Sequence, residues 1–226
     1  HMAQFYCTFD QIKDRRYDGM IITGAPLDYV PCEKTAYWDE VCEIMEWTKT
    51  HVHCTFHLCW GAYAGLYYHY GIEKLDLDRK LFGIYPHRIM KPTSPLFRGF
   101  DDIFMAPHSR ATDVRVSDVE AVPELEVMAV TEEGSLAIAK TKDSRQFFVT
   151  CHAEYDVDTL AQEYFRDMKK GLTTVDLPVN YFPDDDPEKT PVVTWRSTGQ
   201  LLYSNWLNFY VYQSTPYDLY SNETKF

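Results

Sequence analysis

The chain has 226 residues, 45% of them hydrophobic, and its 34 acidic against 22 basic side chains give a formal charge of −12. That length and apolar content suffice for one sizeable packed domain and argue against disorder. The negative charge, unbroken by any run of Lys or Arg, makes nucleic acid a poor partner, although a small polyanion such as a coenzyme can still be held by a few cations or a helix N-terminus.

The first apolar run, GMIITGAP (19–26), reads as a buried strand ending in a Gly-Ala-Pro turn. In TAYWDEVCEIMEWTKTH (35–51), Trp38, Val41, Cys42 and Met45 fall at i, i+3, i+4 and i+7, the spacing of an amphipathic helix. HVHCTFHL (51–58) reads as a strand and WGAYAGLYYHYG (60–71) as a helix ended by Gly71. Five short apolar segments come next as strands: KLFGIY, DIFMAP, LEVMAV, SLAIAK and RQFFVT. DVDTLAQEYFRDMKKG (156–171) is a helix with acids at its start, Lys169 and Lys170 in its last turn, and Gly171 after it. LPVNYFPDDDPEKTP (177–191) is a loop, and GQLLYSNWLNFYVYQ (199–213) a closing helix packed through Leu202, Trp206, Phe209 and Gln213. Strands interleaved with helices predict an α/β fold: a doubly wound, mostly parallel, flavodoxin-like sheet with helices on both faces. The expectation is a single domain over 1–226, with 172–226 as a C-terminal loop and helix extension.

No apolar stretch approaches the roughly 20 residues that span a bilayer, and HMAQFYCTFD lacks the basic-then-apolar order of a leader, so a soluble, cytoplasmic protein is expected. His1-Met2 reads either as native or as a cloning remnant. Cys7, Cys32, Cys42, Cys54, Cys59 and Cys151 are even in number but unevenly spread, which favours reduced thiols over a disulfide framework.

In such a sheet, sites gather at the carboxyl ends of strands, where Cys59, the Gly24-Ala25-Pro26 turn and TCHAEYD (150–156) all fall. Cys59, in HLCWGAYAG (57–65), has three readings. As a metal ligand it would share one face with His51, His53 and His57 if the run is extended. A functional zinc needs three or four converging ligands, however, and no second cluster accompanies these; no metal is expected. As a packing residue it would resemble Cys7, Cys32, Cys42 and Cys54. As a nucleophile it stands at a strand-to-helix elbow, beside the free N–H groups of the helix and small residues Gly61, Ala62 and Ala64. The backbone N–H of Trp60 is then an oxyanion donor, with a second in the Gly24 to Asp28 turn. A base and an orienting acid are offered by His152 and Glu154 if the chain turns at Ala153; alternatively His152 is a surface histidine.

A cysteine elbow succeeded by His-x-Glu after a late strand resembles the class I glutamine amidotransferase fold. Further, TGAPLD, AYWDEVCEIMEWTKTHV, CWGAYAGLYYHYGI, KLFGIYPH, FRGFDDIFMAPHSR, EEGSLAIAKTKDSRQFFVTCHAEYD, TLAQEYFRD, NYFPDDDP and NWLNFYVYQSTPYDL resemble, over practically the entire chain, the homoserine O-acyltransferase family. The resemblance implies that Cys59 is the acyl-accepting nucleophile, His152 the general base and Glu154 its partner, and that Lys80, Ser109 and Arg166 hold the amino-acid substrate. It also implies that Asp28 occupies the position separating donors, where glycine accompanies succinyl-CoA and glutamate acetyl-CoA. The family usually has Gly and Pro where this chain has Cys151 and Ala153, and carries an N-terminal portion ahead of the residues present here.

The activity implied by the resemblance is an acetyl transfer from acetyl-CoA, as cosubstrate, to L-homoserine in methionine biosynthesis, with no bound cofactor. Alternatives are succinyl-CoA as donor, L-serine as acceptor, a glutaminase-type amidase, or an inactive binding module. A homodimer is expected, with no membrane partner; the tyrosine-rich tail (Tyr203, Tyr210, Tyr212, Tyr217, Tyr220) suits the packing of a dimer as readily as that of a core.

Overall fold

In a computed structural model describing residues 5–171 and 175–216, the chain opens with one helical turn, α1 (Phe9–Ile12), and strand β1 (Tyr17–Ile22). Helix α2 (Trp38–His51), strand β2 (Val52–Leu58) and helix α3 (Trp60–Tyr70) come next, α3 closing on Gly71 in the left-handed region (φ 67°). Then come β3 (Leu75–Ile89), β4 (Ile103–Asp113), the short α4 (Val116–Glu120), β5 (Leu125–Thr131), β6 (Leu136–Thr141) and β7 (Gln146–Val149). Helix α5 (Thr159–Lys169) precedes the loop, and α6 (Arg196–Asn205) runs on without a break into a π-helical stretch, Trp206–Tyr212.

These strands form one sheet in the order β1-β2-β7-β6-β5-β3-β4. Only β1 with β2 and β2 with β7 pair in parallel; the other four neighbouring pairs are antiparallel. The α/β architecture is as expected, but the mostly parallel sheet is corrected to a mixed one. The physical reason lies in the connections: residues 132–135 join β5 to β6 and 142–145 join β6 to β7, far short of the dozen or so residues a parallel crossover needs. KLFGIY and DIFMAP prove to be parts of one long antiparallel pair, β3 and β4.

Helices cover both faces, as the alternation of side chains along a strand allows. Neighbours Phe147 and Phe148 on β7 show this: Phe147 packs with Phe56, Trp206 and Tyr210 under α6 and its π-helical continuation, and Phe148 with Tyr63 and Leu66 of α3. Burying a large side chain of this kind contributes about 1.5–3 kcal/mol. A third cluster, Phe82, Ile84, Leu160, Tyr181 and Trp195, seats α5 against β3. Observed boundaries differ modestly from expectation: α2 starts at Trp38 after a 3-10 turn and keeps His51, and the closing helix starts at Arg196. Tyr217 and Tyr220 lie outside the described residues.

Candidate active site

Cys59 caps α3 with φ 55° and ψ −120°, a region that a residue with a β-carbon enters only when its surroundings enforce it. The enforcement is visible. Its N–H donates to Val149 O at 2.8 Å, and its carbonyl accepts the Ala62 N–H at 2.9 Å. Gly61 lets α3 start against the end of β1, since any Cβ there would lie 2.4 Å from Ile22 O. Gly24 does the same for Cys59: a Cβ on it would stand 2.8 Å from Cys59 Cβ, 3.1 Å from Sγ and 3.6 Å from Trp60 N. Trp60 N–H is the first of the helix, without an intrahelical acceptor, and so borders the space around Sγ. The Gly24 to Asp28 turn is held from β3's side by the Lys74 ammonium, which donates to Leu27 O at 2.9 Å and to Asp28 O.

The second half of the site hangs from the end of β7. Thr150 is anchored by its N–H to Ala137 O (2.9 Å) and its hydroxyl to Leu136 O (2.6 Å), and His152 N–H reaches Pro107 O of β4 at 2.8 Å. The chain then turns through Ala153, with Tyr155 N–H donating back to His152 O at 3.1 Å. Gly199 of α6 presses on this turn so closely that a Cβ there would sit 2.2 Å from Ala153 O. The turn brings His152 Nδ1 to 2.6 Å from Glu154 Oε1, while Tyr203 donates to the other carboxylate oxygen at 3.3 Å. The Tyr155 ring stacks on the imidazole, with centroids 4.2 Å apart.

With Nδ1 engaged by Glu154, Nε2 is the imidazole nitrogen left to face Cys59. Burial alone pushes the His152 pKa down, but hydrogen bonds to Cys59 and Glu154, with the negative charge at both, outweigh it and raise the pKa to about 10. Tyr203 is pushed up by burial and by the Glu154 charge, so its hydroxyl keeps its proton and donates.

Thr23, Gly24, Ala25, Pro26, Asp28, Cys59, Lys80, Ser109, His152, Glu154 and Arg166 line one cleft of ≈ 390 Å³. Every side chain singled out from the sequence as a site residue is therefore brought together, and Trp60, itself buried, contributes its backbone. Lys80 and Ser109 meet because β3 and β4 pair with Phe82 opposite Ser109. Arg166, 54% exposed, projects from α5 and engages Asp167 through Nε at 2.9 Å. Three lining residues were not singled out: Thr23, ahead of the Gly-Ala-Pro turn, Tyr155, adjoining the His-x-Glu run, and Glu163, which is three residues before Arg166 and hence on the same helical face. Glu163 accepts from Ser109 at 2.5 Å and from Tyr155 at 3.3 Å, and stands 3.6 Å from Lys80 Nζ.

The metal arrangement does not form. His51 belongs to α2, His53 reaches Ser214, and His57 is buried in a stack on Phe148. Among the described residues no group of three or more such ligands converges, and none of the six cysteines is bridged.

The homoserine O-succinyltransferase family model matches residues 1–217. A homoserine O-acetyltransferase of Acetivibrio thermocellus is 56% identical over 225 residues, covering 100% of this chain and 73% of the relative. One of Agathobacter rectalis is 54% identical over 222 residues, 98% of this chain and 71% of its own. Among solved structures, a glutamine amidotransferase from Thermotoga maritima superposes with a TM-score of 0.57 at 13% identity, covering 83% of this chain and 76% of the other. That likeness is one of fold. The family model spans nearly the whole sequence, and more than half of the residues coincide with those of full-chain relatives: the chain belongs to the homoserine O-succinyltransferase family.

Proposed function

We propose that this chain transfers an acyl group from an acyl-CoA thioester to the hydroxyl of L-homoserine through an acyl-Cys59 intermediate. The observation that carries the reading is a cysteine on a strained elbow that shares its cleft with a histidine held through Nδ1 by Glu154, and with Lys80 and Arg166. His152 holds the proton drawn from Cys59 while the thiolate attacks the thioester carbonyl, and the oxyanion is met by Trp60 N–H and an N–H of the Gly24 to Asp28 turn. Collapse expels coenzyme A, which leaves as the thiol with the proton from His152. Acylation removes the Cys59 contact and charge that raise the His152 pKa, so the ring, having given its proton to coenzyme A, stays neutral and free to accept the proton of homoserine. The alkoxide attacks the acyl-cysteine, and Cys59 regains the proton. Arg166 and Lys80 bind the substrate carboxylate and Ser109 hydrogen-bonds the amino acid.

Acetyl-CoA is the favoured donor. Asp28 lines the same cleft as Cys59, and a succinyl carboxylate beside it would bring two like charges together, which disfavours ionisation of one of them. The product, an O-acylhomoserine, serves methionine biosynthesis. The enzyme works in the cytoplasm as a homodimer, a state that light scattering on the purified protein tests. Among the described residues no helix is long and apolar enough to cross a membrane.

A second reading, glutamine hydrolysis by the same triad, draws on the fold shared with a glutamine amidotransferase. One assay separates the two: coenzyme A release, crossing acetyl- and succinyl-CoA with homoserine and serine, alongside ammonia release from glutamine. Acetyl-CoA with homoserine is expected to be the fastest pair and Cys59→Ala inactive; ammonia release without coenzyme A dependence, or an active Cys59→Ala enzyme, would overturn the proposal.

A further inference from the structure

Asp28, which the proposed reaction uses to favour one acyl donor, is not held by its own side chain. Among the described residues it enters the hydrogen-bond network through its main-chain carbonyl, which accepts from Lys74, and no hydrogen bond or ion pair engages its carboxylate. The place of that charge therefore depends on how the backbone beneath it is anchored.

Lys74 supplies the anchor. Its ammonium donates to Leu27 O at 2.9 Å and to Asp28 O. Successive carbonyls of an extended strand point to opposite sides, so two that converge on one ammonium mark a chain turned at Asp28, and the two bonds hold it turned. Val30 N–H closes the same turn onto Leu27 O at 3.1 Å. The lysine is itself fixed: α3 ends at Gly71, and Ile72 just after it is buried in one cluster with Tyr63 and Leu66 of that helix. The helix that Cys59 caps thus also carries, past its other end, the residue that ties down Asp28.

The choice of acceptors is informative. Asp28 lines both the Cys59 cleft and a neighbouring cleft of ≈ 350 Å³, and Lys74 lines the neighbouring one. Asp28, Glu33, Glu73 and Asp76 all offer carboxylates around that second cleft, yet the bonds of the ammonium go to carbonyls. An ammonium bonded to the Asp28 carboxylate would offset the charge that opposes a succinyl group. Bonded to the main chain, it fixes where Asp28 stands and leaves the carboxylate without a bonded cation.

Resting on the acyltransferase reading of the Cys59 cleft, we propose that Lys74 is a positioning residue for acyl-donor selection: by holding the Leu27 and Asp28 carbonyls it keeps the Asp28 carboxylate at the cleft wall, where that charge turns succinyl-CoA away. Lys74 acts on the donor through Asp28, from the far side of the wall.

The test is a double-substitution cycle on the intact chain, read as the ratio of kcat/KM for acetyl-CoA to that for succinyl-CoA with homoserine as acceptor. Asp28→Asn, which removes the charge and keeps the shape, is expected to lower the wild-type ratio by about tenfold, the equivalent of one pKa unit of charge interaction. In Lys74→Met, whose side chain cannot donate, the same Asp28→Asn change is expected to move the ratio by less than about threefold, because residues in one network do not act additively. Lys74→Gln, too short to reach both carbonyls, is the second variant and carries the same expectation. A merely structural Lys74 would slow both donors alike and leave the Asp28→Asn effect at about tenfold. Wild type that releases coenzyme A from neither donor defeats the acyltransferase reading. Wild type that releases it but whose ratio ignores Asp28→Asn defeats donor selection by Asp28, and the role of Lys74 with it. A tenfold effect that persists in the Lys74 variants, or loss of coenzyme A release from both donors in both of them, defeats the Lys74 proposal alone.

Discussion

Gly24→Ala tests how tightly Cys59, the proposed nucleophile, is seated. The added methyl carbon would stand 2.8 Å from Cys59 Cβ and 3.1 Å from Sγ, whereas carbon atoms in comfortable contact are about 3.5–4.0 Å apart. Either the turn or the cysteine must therefore retreat by roughly 0.7–1.2 Å by that measure. Gly24 is not among the residues with positive φ, so alanine suits its backbone, and the clash is the whole perturbation. A misplacement of about 1 Å in a reacting group costs about 10²-fold in rate, which corresponds to about 2.7 kcal/mol of lost transition-state stabilisation. Gly24 is half-buried at the cleft edge, so the turn can yield, and the stability loss is expected near the low end of the about 1–3 kcal/mol of overpacking. The assay pairs single-turnover release of coenzyme A with a thermal melt. A Gly24→Ala enzyme that acylates within about threefold of wild type would refute the reasoning, because the tolerance would far exceed what a 1 Å shift allows.

Gly199→Ala should act on His152 instead of Cys59. A Cβ 2.2 Å from Ala153 O must push α6 off the His152–Glu154 turn; the melting temperature is expected to fall, despite alanine's advantage of about 1 kcal/mol in a helix, and activity with it. The His152 pKa makes stability depend on pH with a definite sign. Raised from 6.5 to about 10 in the folded protein, it contributes stability that is full below pH 6.5 and lost as pH rises toward 10. Urea unfolding across that window should show the decline in wild type and a shallower one in Cys59→Ala, which lacks a group that raises the pKa; parallel curves would count against the Cys59–His152 contact.

The parts of the site legible in sequence are those whose chemistry is local. A cysteine between an apolar run and small residues announces an elbow, and His152 and Glu154 lie two apart at the end of a strand. Lys80, Ser109, Arg166 and Asp28 carry no such local signal. They come from β3, β4, α5 and the turn after β1, and only the pairing of β3 with β4 and the seating of α5 by Leu160 and Trp195 bring them to one cleft. Their placement is readable through family resemblance alone. Glu163 is within reach of helical spacing from Arg166, but an acid on an amphipathic helix reads as a solvated charge. Strand direction escapes the sequence reading because a buried apolar run looks the same in either sense; the short links 132–135 and 142–145 hold the information that the apolar runs do not.

The fold shared with a glutamine amidotransferase sharpens one last expectation. An elbow cysteine and its histidine acylate equally well on the way to hydrolysis or to transfer, so the difference must arise after the acyl-enzyme forms. In the proposed reaction the deacylating hydroxyl would sit in the cleft lined by Ser109, Lys80, Glu163 and Arg166, and nothing in that set favours a lone water over a bound hydroxyl. Orientation of a bound nucleophile is worth effective molarities of about 10⁵ M or more, against the roughly 55 M at which water itself is present, so transfer should outrun hydrolysis by at least about 10²-fold even if most of that advantage is lost. Mixing enzyme with acetyl-CoA alone should therefore release close to one equivalent of coenzyme A per chain and then nearly stop, resuming when homoserine is added. Steady linear release without acceptor, at a rate comparable to transfer, would mean that the cleft does not select its nucleophile and that the site is a hydrolase in practice.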